Sequence, residues 1–226
     1  ITGIYKTAWV EFVPKTYITE LTVNPDRESA SVSLECRTYG PSEDCGIEVS
    51  IIYEGRKIAE GRADVRFGSA SLTALLDKDE PLHLWELETP SLYELEIRLI
   101  KDGESVDKVN SYFGVRSIEI KDSKIYLNGR ELYQKLALDQ GYWRESLLTP
   151  PDEQALIDDI VDMRDMGFNG VRKHQKVEDE RYLYYADIMG FIVWSEMPSM
   201  YSNTPKSRKT FKRAVNGYEL KAVYLR

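Results

Sequence analysis

Alternating apolar and polar positions dominate the chain between Tyr17 and Phe113 and predict β-strands. From Ala30 to Cys36 every second side chain is apolar, so one face of that strand would lie in a core and the other in water. About seven short strands separated by turn residues are typical of an immunoglobulin-like β-sandwich, which we place at residues 15–115. The predicted strands are Ile18–Val23, Ala30–Tyr39, Ile47–Tyr53, Lys57–Phe67, Ser71–Leu76, Tyr93–Ile100 and Val106–Phe113.

The pattern changes after a hinge at Val115–Arg130, in which Lys124–Leu127 and the turn residues around it predict a short hairpin. Beyond the hinge, apolar residues recur every three or four positions in 151–166 and 179–189, which predicts two helices. Short apolar runs at 132–138, 168–171 and 191–194 predict three strands around them. Strands that alternate with helices predict a parallel sheet with right-handed crossovers.

Polar and aromatic side chains follow the ends of all three predicted strands. Asp139 and Trp143 follow the first strand, Arg172 and His174 the second, and Glu196 the third. The carboxyl ends of parallel strands meet at one edge of a sheet, and binding sites form there. We therefore expect these five residues to line a substrate-binding site.

Four short motifs resemble landmarks of glycoside hydrolase family 2, which holds β-galactosidases, β-glucuronidases and β-mannosidases. The motifs are Phe113–Arg116, Leu127–Gly129, Met166–Arg172 and Val193–Pro198, and the similarity runs from residue 1 to about residue 201. The resemblance implies a multidomain β and α/β protein with a jelly-roll domain, an immunoglobulin-like sandwich and a (β/α)8 TIM barrel. Residues 1–14 would be the last strand of a missing jelly-roll sugar-binding domain, and 116–201 the N-terminal part of the barrel.

The resemblance also implies an activity, the retaining hydrolysis of terminal β-linked sugars by two glutamates about 5 Å apart. In the family, the acid/base glutamate follows an asparagine, and no Asn-Glu pair occurs in this sequence. We therefore assign no catalytic residue and expect a β-galactosidase-like fragment that is inactive alone. Arg172 and His174 match family residues that line the pocket for the nonreducing-end sugar. Glu196 matches a position outside the catalytic pair.

Several of these assignments have structural alternatives. Asp139 could accept hydrogen bonds from sugar hydroxyls. Trp143 could stack on a sugar or pack under its own loop, and Trp85 could bind sugar or fill the sandwich core. His174 could be a surface histidine beside Lys173 and Lys176. A non-catalytic β-sandwich binding or assembly module is the competing function.

Composition narrows the possible partners. The formal net charge of −8 over 226 residues argues against a general nucleic-acid binder, and no apolar run approaches the length of about 20 residues that spans a bilayer. Cys36 and Cys45 could pair, although two free thiols in a cytoplasmic protein fit so low a cysteine count better. No cofactor or metal ligand set is predicted. The expected partners are a carbohydrate substrate and either a homo-oligomer or the remainder of the enzyme.

The composition becomes basic after Tyr201. Residues 202–226 contain seven basic side chains against a single acid, Glu219, and the family resemblance stops there. A diverged loop and helix, a change of reading frame and a basic arm for an anionic partner remain open for this tail.

The absence of an assigned catalytic glutamate generates the first prediction. We expect the purified chain to release no chromophore from nitrophenyl β-galactoside, β-glucuronide or β-mannoside above a control without enzyme. Turnover that Glu196→Gln abolishes would contradict this expectation and would make Glu196 catalytic.

Overall fold

The computed structural model describes residues 5–76, 81–217 and 224–225. The chain divides into two compact units. One unit, here called the β unit, comprises Glu11–Glu131 and Leu220–Arg226. The other, called the α/β unit, comprises Ile1–Val10 and Leu132–Glu219.

The β unit contains the seven predicted strands as two antiparallel sheets. One sheet has the order β1-β2-β5, and the strands of the other include the run β7-β6-β3-β4. The predicted β-rich fold of this part of the chain is therefore confirmed, and its assignment as an immunoglobulin-like sandwich stays a prediction. The strands are β1 (Tyr17–Asp26), β2 (Ser31–Tyr39), β3 (Cys45–Tyr53), β4 (Arg56–Asp64), β5 (Ser69–Leu75), β6 (Tyr93–Lys101) and β7 (Glu104–Phe113).

The apolar positions of these strands form a single core between the sheets. Ile18 on β1, Val32 on β2, Ile47 on β3 and Ile97 on β6 are completely buried in it. Each such side chain contributes about 1.5–3 kcal/mol through burial, which is why the alternating pattern fixes which face of each strand turns inward. Both cysteines lie in this core and are free, and burial raises the pKa of Cys36 to about 12.

A short hairpin follows the sandwich, as predicted for Lys124–Leu127. Its strands β8 (Ile118–Lys121) and β9 (Lys124–Leu127) are joined by Asp122 and Ser123, both at positive φ, and β10 (Arg130–Leu132) extends the sheet. Asn128 fastens the hairpin to the sandwich: its side chain donates to the Trp85 carbonyl and accepts from the Ser117 amide, each at 2.9 Å. Trp85 is buried, which agrees with a packing role.

The α/β unit contains a three-stranded parallel sheet with a helix in each crossover. Its elements are β11 (Leu136–Asp139), α1 (Glu153–Asp165), β12 (Gly170–Lys173), α2 (Glu180–Met189) and β13 (Ile192–Ser195), with β12 in the middle. Asp152 and Asp179 cap the two helices by accepting backbone hydrogen bonds. Gly190 ends α2 in the left-handed conformation, as the sequence pattern predicts.

The two helices cover one face of this sheet. Leu156 and Ile160 of α1 and Tyr182 of α2 pack on Val171 of β12 in a second apolar core. On the opposite face, Leu138 and Trp194 remain 61% and 50% exposed.

The N-terminal strand predicted for residues 1–14 differs from the structure. Residues 5–14 form no strand, and 1–4 lie outside the described residues. A strand needs a neighbouring strand to satisfy its backbone, whereas Lys6 pairs with Glu180 at 2.9 Å and the Thr7 hydroxyl donates to Asp179 at 3.1 Å. The assignment of this segment to a jelly roll stays a prediction.

The basic tail begins with a helix, α3 (Pro205–Gly217). Thr204 caps the N-terminus of this helix, because its hydroxyl oxygen accepts a hydrogen bond from the Ser207 amide at 3.1 Å. Tyr224–Leu225 forms β14, which pairs antiparallel with β7. Residues 218–223 and 226 lie outside the described part of the chain. Within that part, no helix is long and apolar enough to cross a bilayer.

One turn explains why the predicted fourth strand is too long and provides a stability test. Phe67 was included in that strand, but Arg66 and Ser69 close a two-residue hairpin around Phe67 and Gly68, both at positive φ. The Phe67 side chain is fully exposed. A bulky residue is unfavourable in this conformation, whereas asparagine adopts it readily.

We expect Phe67→Asn to raise the free energy of unfolding by about 1 kcal/mol. Urea denaturation of the purified protein measures the change. Phe67→Leu is the matched control and should give no gain, because leucine also disfavours positive φ. An equal gain in both variants would show that loss of the exposed ring, rather than relief of backbone strain, is responsible.

Candidate functional site

The parallel register brings the ends of the three strands to one level. Asp139 of β11 lies beside Lys173 of β12, and Lys173 lies beside Ser195 of β13. The residues that follow each strand therefore gather at the same edge of the sheet, as the sequence predicts.

Arg172 and Glu196 form an ion pair at this edge. The Arg172 Nε donates to Glu196 Oε1, and the Gln175 amide donates to Glu196 Oε2 at 3.4 Å. The hydrogen bond from Arg172 lowers the pKa of Glu196, which keeps the carboxylate ionised. The Arg172 side chain remains 43% exposed, so part of its guanidinium can still reach a ligand.

His174 lies between two glutamine side chains. The amide nitrogen of Gln140 is 3.2 Å from His174 Nδ1, and that of Gln175 is 3.4 Å from Nε2. The Tyr201 hydroxyl donates to Gln175 Oε1 at 2.9 Å. A neutral imidazole accepts at only one of its two nitrogens, so one glutamine amide at a time can donate to His174. These polar side chains lie in a row from the loop after β11 to the segment after β13.

Lys173 points to the helix side of the sheet and is only 1% exposed. Its ammonium pairs with Asp139, lies 3.1 Å from Glu178 Oε2 and 3.5 Å from Asp159 Oδ2, and sits 3.9 Å above the Tyr182 ring. Burial alone would lower the pKa of Lys173, but these carboxylates outweigh it and raise the pKa. Lys173 is therefore held as a cation inside the unit.

The pKa values of Asp139 and Asp159 shift in opposite directions, although Lys173 favours the ionised form of both. Burial favours the neutral form of both acids, yet Lys173 and the Gly141 amide, which donates to Asp139 Oδ1 at 2.6 Å, lower the pKa of Asp139. For Asp159, burial prevails and raises the pKa. Both oxygens of Asp139 are thus engaged by the protein itself.

Trp143 lies partly buried against the apolar core of α1 and α2. Its indole Nε1 is buried without a hydrogen-bond partner. The neighbouring backbone is closed by hydrogen bonds between Trp143 and Leu147. This environment favours packing under the loop, one of the two alternatives that the sequence leaves open.

The structure thus brings Arg172, His174 and Glu196 together on the open side of the sheet edge and directs Asp139 into the buried charges. Sequence reasoning missed Gln140 and Gln175 at the site, and it considered Lys173 only as a surface neighbour in the alternative reading of His174. The alternation of Val171 and Lys173 on one face of β12 is the signal that could have placed Lys173 inside. Among the described residues, no group of three or more histidine, cysteine or acidic side chains is arranged to hold a metal ion.

Comparisons with known proteins agree with the motif resemblance. Residues 16–116 match the model of Glycosyl hydrolases family 2. A β-galactosidase of Streptococcus thermophilus is 27% identical over 201 residues, covering 86% of this chain and 19% of that protein. A β-glucuronidase of Streptococcus agalactiae is 24% identical over 204 residues, covering 88% of this chain and 32% of that protein. The resemblance to the family is confirmed, and the chain spans only a minor part of the length of these relatives.

Solved structures share the fold. The structure of Bifidobacterium dentium β-glucuronidase complexed with coumarin-3-O-glucuronide has a TM-score of 0.78 at 18% identity and covers 90% of this chain and 35% of that one. A Ruminococcus gnavus β-glucuronidase in complex with a C6-substituted uronic isofagomine has a TM-score of 0.74 at 18% identity, covering 90% of this chain and 34% of that one. At such low identity the likeness shows the β-rich fold alone.

The pairing of Asp139 with buried Lys173 predicts a pH-dependent stability. Asp139→Asn should lower the free energy of unfolding at neutral pH by about 1–3 kcal/mol, because it removes a charged acceptor from a buried ammonium. The folded pKa of Asp139 lies below its unfolded value, so its contribution is complete above about pH 4 and is lost as the pH falls through the lowered pKa. The difference between the two proteins, measured by urea denaturation, should therefore shrink toward acid.

The matched control for this prediction is Asp158→Asn. Asp158 is on the exposed side of α1, where it accepts a hydrogen bond from Gln154 at 2.8 Å. Its replacement should change the stability by no more than about 0.5 kcal/mol. A loss for Asp139→Asn that stays constant from neutral to acidic pH would contradict the proposed ion pair.

Proposed function

From the confirmed resemblance to glycoside hydrolase family 2, we propose that this chain supplies part of the sugar-binding region of a retaining glycosidase of the β-galactosidase type. Its ligand is the terminal β-linked sugar, and its α/β unit is the first part of a (β/α)8 barrel. The observation that carries the proposal is the Arg172–Glu196 pair, which lies with His174 at the carboxyl ends of parallel strands. Binding sites of barrel enzymes form at this end of the strands.

The side chains at this edge have the chemistry that sugar recognition needs. Sugar hydroxyls both donate and accept hydrogen bonds, and Arg172, His174 and the glutamines beside it offer both kinds of partner. Glu196 fixes the direction of the guanidinium, which would otherwise be mobile. Because Glu196 also compensates the charge of Arg172, the pair favours a neutral hydroxylated ring over a sugar that carries its own carboxylate.

The exposed face of the parallel sheet supports the barrel. Leu138, Arg172 and Trp194 form one row across β11, β12 and β13, on the side away from the helices. In a (β/α)8 barrel this side is the interior, which is filled by side chains from all the strands. Apolar residues in such a row are expected there and are unfavourable in water.

The hydrolytic step belongs to residues that this sequence does not identify. A retaining glycosidase needs one carboxyl group as acid/base and one as nucleophile, about 5 Å apart. Glu196 is engaged as the partner of Arg172, so we assign it to orientation of the sugar-binding arginine. Arg172, His174 and the two glutamines would hold the nonreducing-end ring against that catalytic pair.

We expect the protein to bind isopropyl β-thiogalactoside, a thioglycoside that resists hydrolysis, and Arg172→Ala to weaken the binding by about tenfold or more, because a charged hydrogen-bond donor is lost. Titrations followed by NMR of ¹⁵N-labelled protein measure the affinity and locate the perturbed amides. The melting temperature should change little, because Arg172 is partly exposed.

Arg66→Ala, which removes an exposed arginine of the β unit, is the control and should leave the affinity unchanged. Two results would contradict the proposal. One is equal affinity for wild type and Arg172→Ala, and the other is a set of perturbed amides confined to the β unit.

A further inference from the structure

The loop after β11, residues 140–150, is held in place by a lysine from the next strand–helix connection. Lys176 is 4% exposed, and its ammonium donates to the carbonyl oxygens of Gly141 and Leu148, each at 3.0 Å. It also pairs with Glu178 Oε1 at 2.9 Å. These three acceptors match the three N–H donors of the ammonium. Lys176 therefore ties both ends of the loop to one buried point.

The backbone of the loop is shaped to accept this lysine. Gly141 has a φ of 63°, and a Cβ atom there would lie 2.4 Å from the Lys176 Nζ and 2.9 Å from the Glu178 carboxylate. Only glycine fits both the conformation and the close approach. The Gly141 amide also donates to Asp139, so the same residue is fixed from the strand and from Lys176.

The loop carries one side chain of the candidate site and one of the apolar core. Gln140 precedes the fixed glycine and lies beside His174. Trp143, also on the loop, packs against the core of α1 and α2. A displacement of the loop would therefore move Gln140 away from His174 while the sheet stays in place.

We infer that Lys176 is a positioning residue: it acts on the sugar only through the loop, whose conformation it fixes and which places Gln140 beside His174 at the sugar-binding edge. The inference rests on the proposed function for the identity of the ligand, whereas the fastening of the loop is a property of this chain alone. A role in stability alone would not require the Lys176–Glu178 pair, since replacing a whole buried ion pair with apolar residues often leaves a protein at least as stable. An apolar side chain cannot supply the three directed hydrogen bonds that Lys176 makes, two to carbonyl oxygens of the loop and one to Glu178.

Lys176→Met tests this inference, because methionine keeps most of the packing volume and removes the donors. We expect backbone hydrogen exchange within residues 140–150 to become faster by about tenfold or more, with β12 and β13 unchanged. The indole N–H resonance of Trp143, assigned with Trp143→Phe, should shift. The affinity for isopropyl β-thiogalactoside should fall by about tenfold.

Three further variants complete the design. Lys135→Met removes an exposed lysine of the same unit and should leave loop exchange, the Trp143 resonance and the affinity unchanged. Lys176→Arg keeps the charge and the donors in a longer side chain. It should fold and give changes smaller than those of Lys176→Met. If Lys176→Met does not fold, Lys176→Gln carries the test, because glutamine stays polar but lacks the charge and the third donor. A wild-type loop together with wild-type affinity in Lys176→Gln would overturn the inference.

The outcomes separate this inference from the proposed function. Unchanged loop exchange in Lys176→Met overturns it, as does faster exchange spread evenly over the α/β unit, which would indicate a role in stability alone. A loosened loop with unchanged sugar affinity also overturns it. If the wild-type protein binds no sugar, the proposed function fails. The hydrogen exchange of residues 140–150 and the Trp143 resonance still decide whether Lys176 fixes the conformation of the loop.

Discussion

The buried ammonium of Lys173 is the constraint on which the α/β unit depends. It lies at the end of the central strand, among carboxylates from β11, α1 and the connection before α2. A lone charge in such a place would cost several kcal/mol, so each carboxylate must stay within reach of the lysine. The ends of the strands and the start of α2 are therefore fixed relative to each other more tightly than apolar packing alone would require.

This arrangement separates the buried charges of the unit from the partly exposed Arg172–Glu196 pair. Lys173 and Lys176 point to the helix side, where Glu178 bridges them. Arg172, one position before Lys173, points to the open side and meets Glu196. Because neighbouring residues of a strand face opposite ways, one short segment supplies both the internal anchor and the proposed recognition group.

Much of the fold follows from periodicity in the sequence. All seven strands of the sandwich were predicted, because each buries one face and therefore alternates clearly. The errors occur where another constraint prevails. Phe67 is apolar but belongs to a turn, and residues 5–14 alternate like a strand yet do not form one in the structure.

The candidate site was predictable only in part. The positions of Arg172, His174 and Glu196 follow from strand order, since side chains after parallel strands share one edge. The inward direction of Asp139 does not follow, because it depends on a lysine that is buried against the usual preference of that residue. Gln140 and Gln175 were missed because neutral amides have no characteristic spacing, and only the folded loops bring them to His174.

The most direct test of the central claim, that the ends of these strands bind sugar, is a crystal structure of the protein soaked with isopropyl β-thiogalactoside. We expect electron density for the sugar ring within hydrogen-bonding distance of the Arg172 guanidinium and the His174 ring, with the Arg172–Glu196 pair kept. Well-defined sugar density on the β-sandwich, with the strand ends occupied by solvent alone, would contradict it.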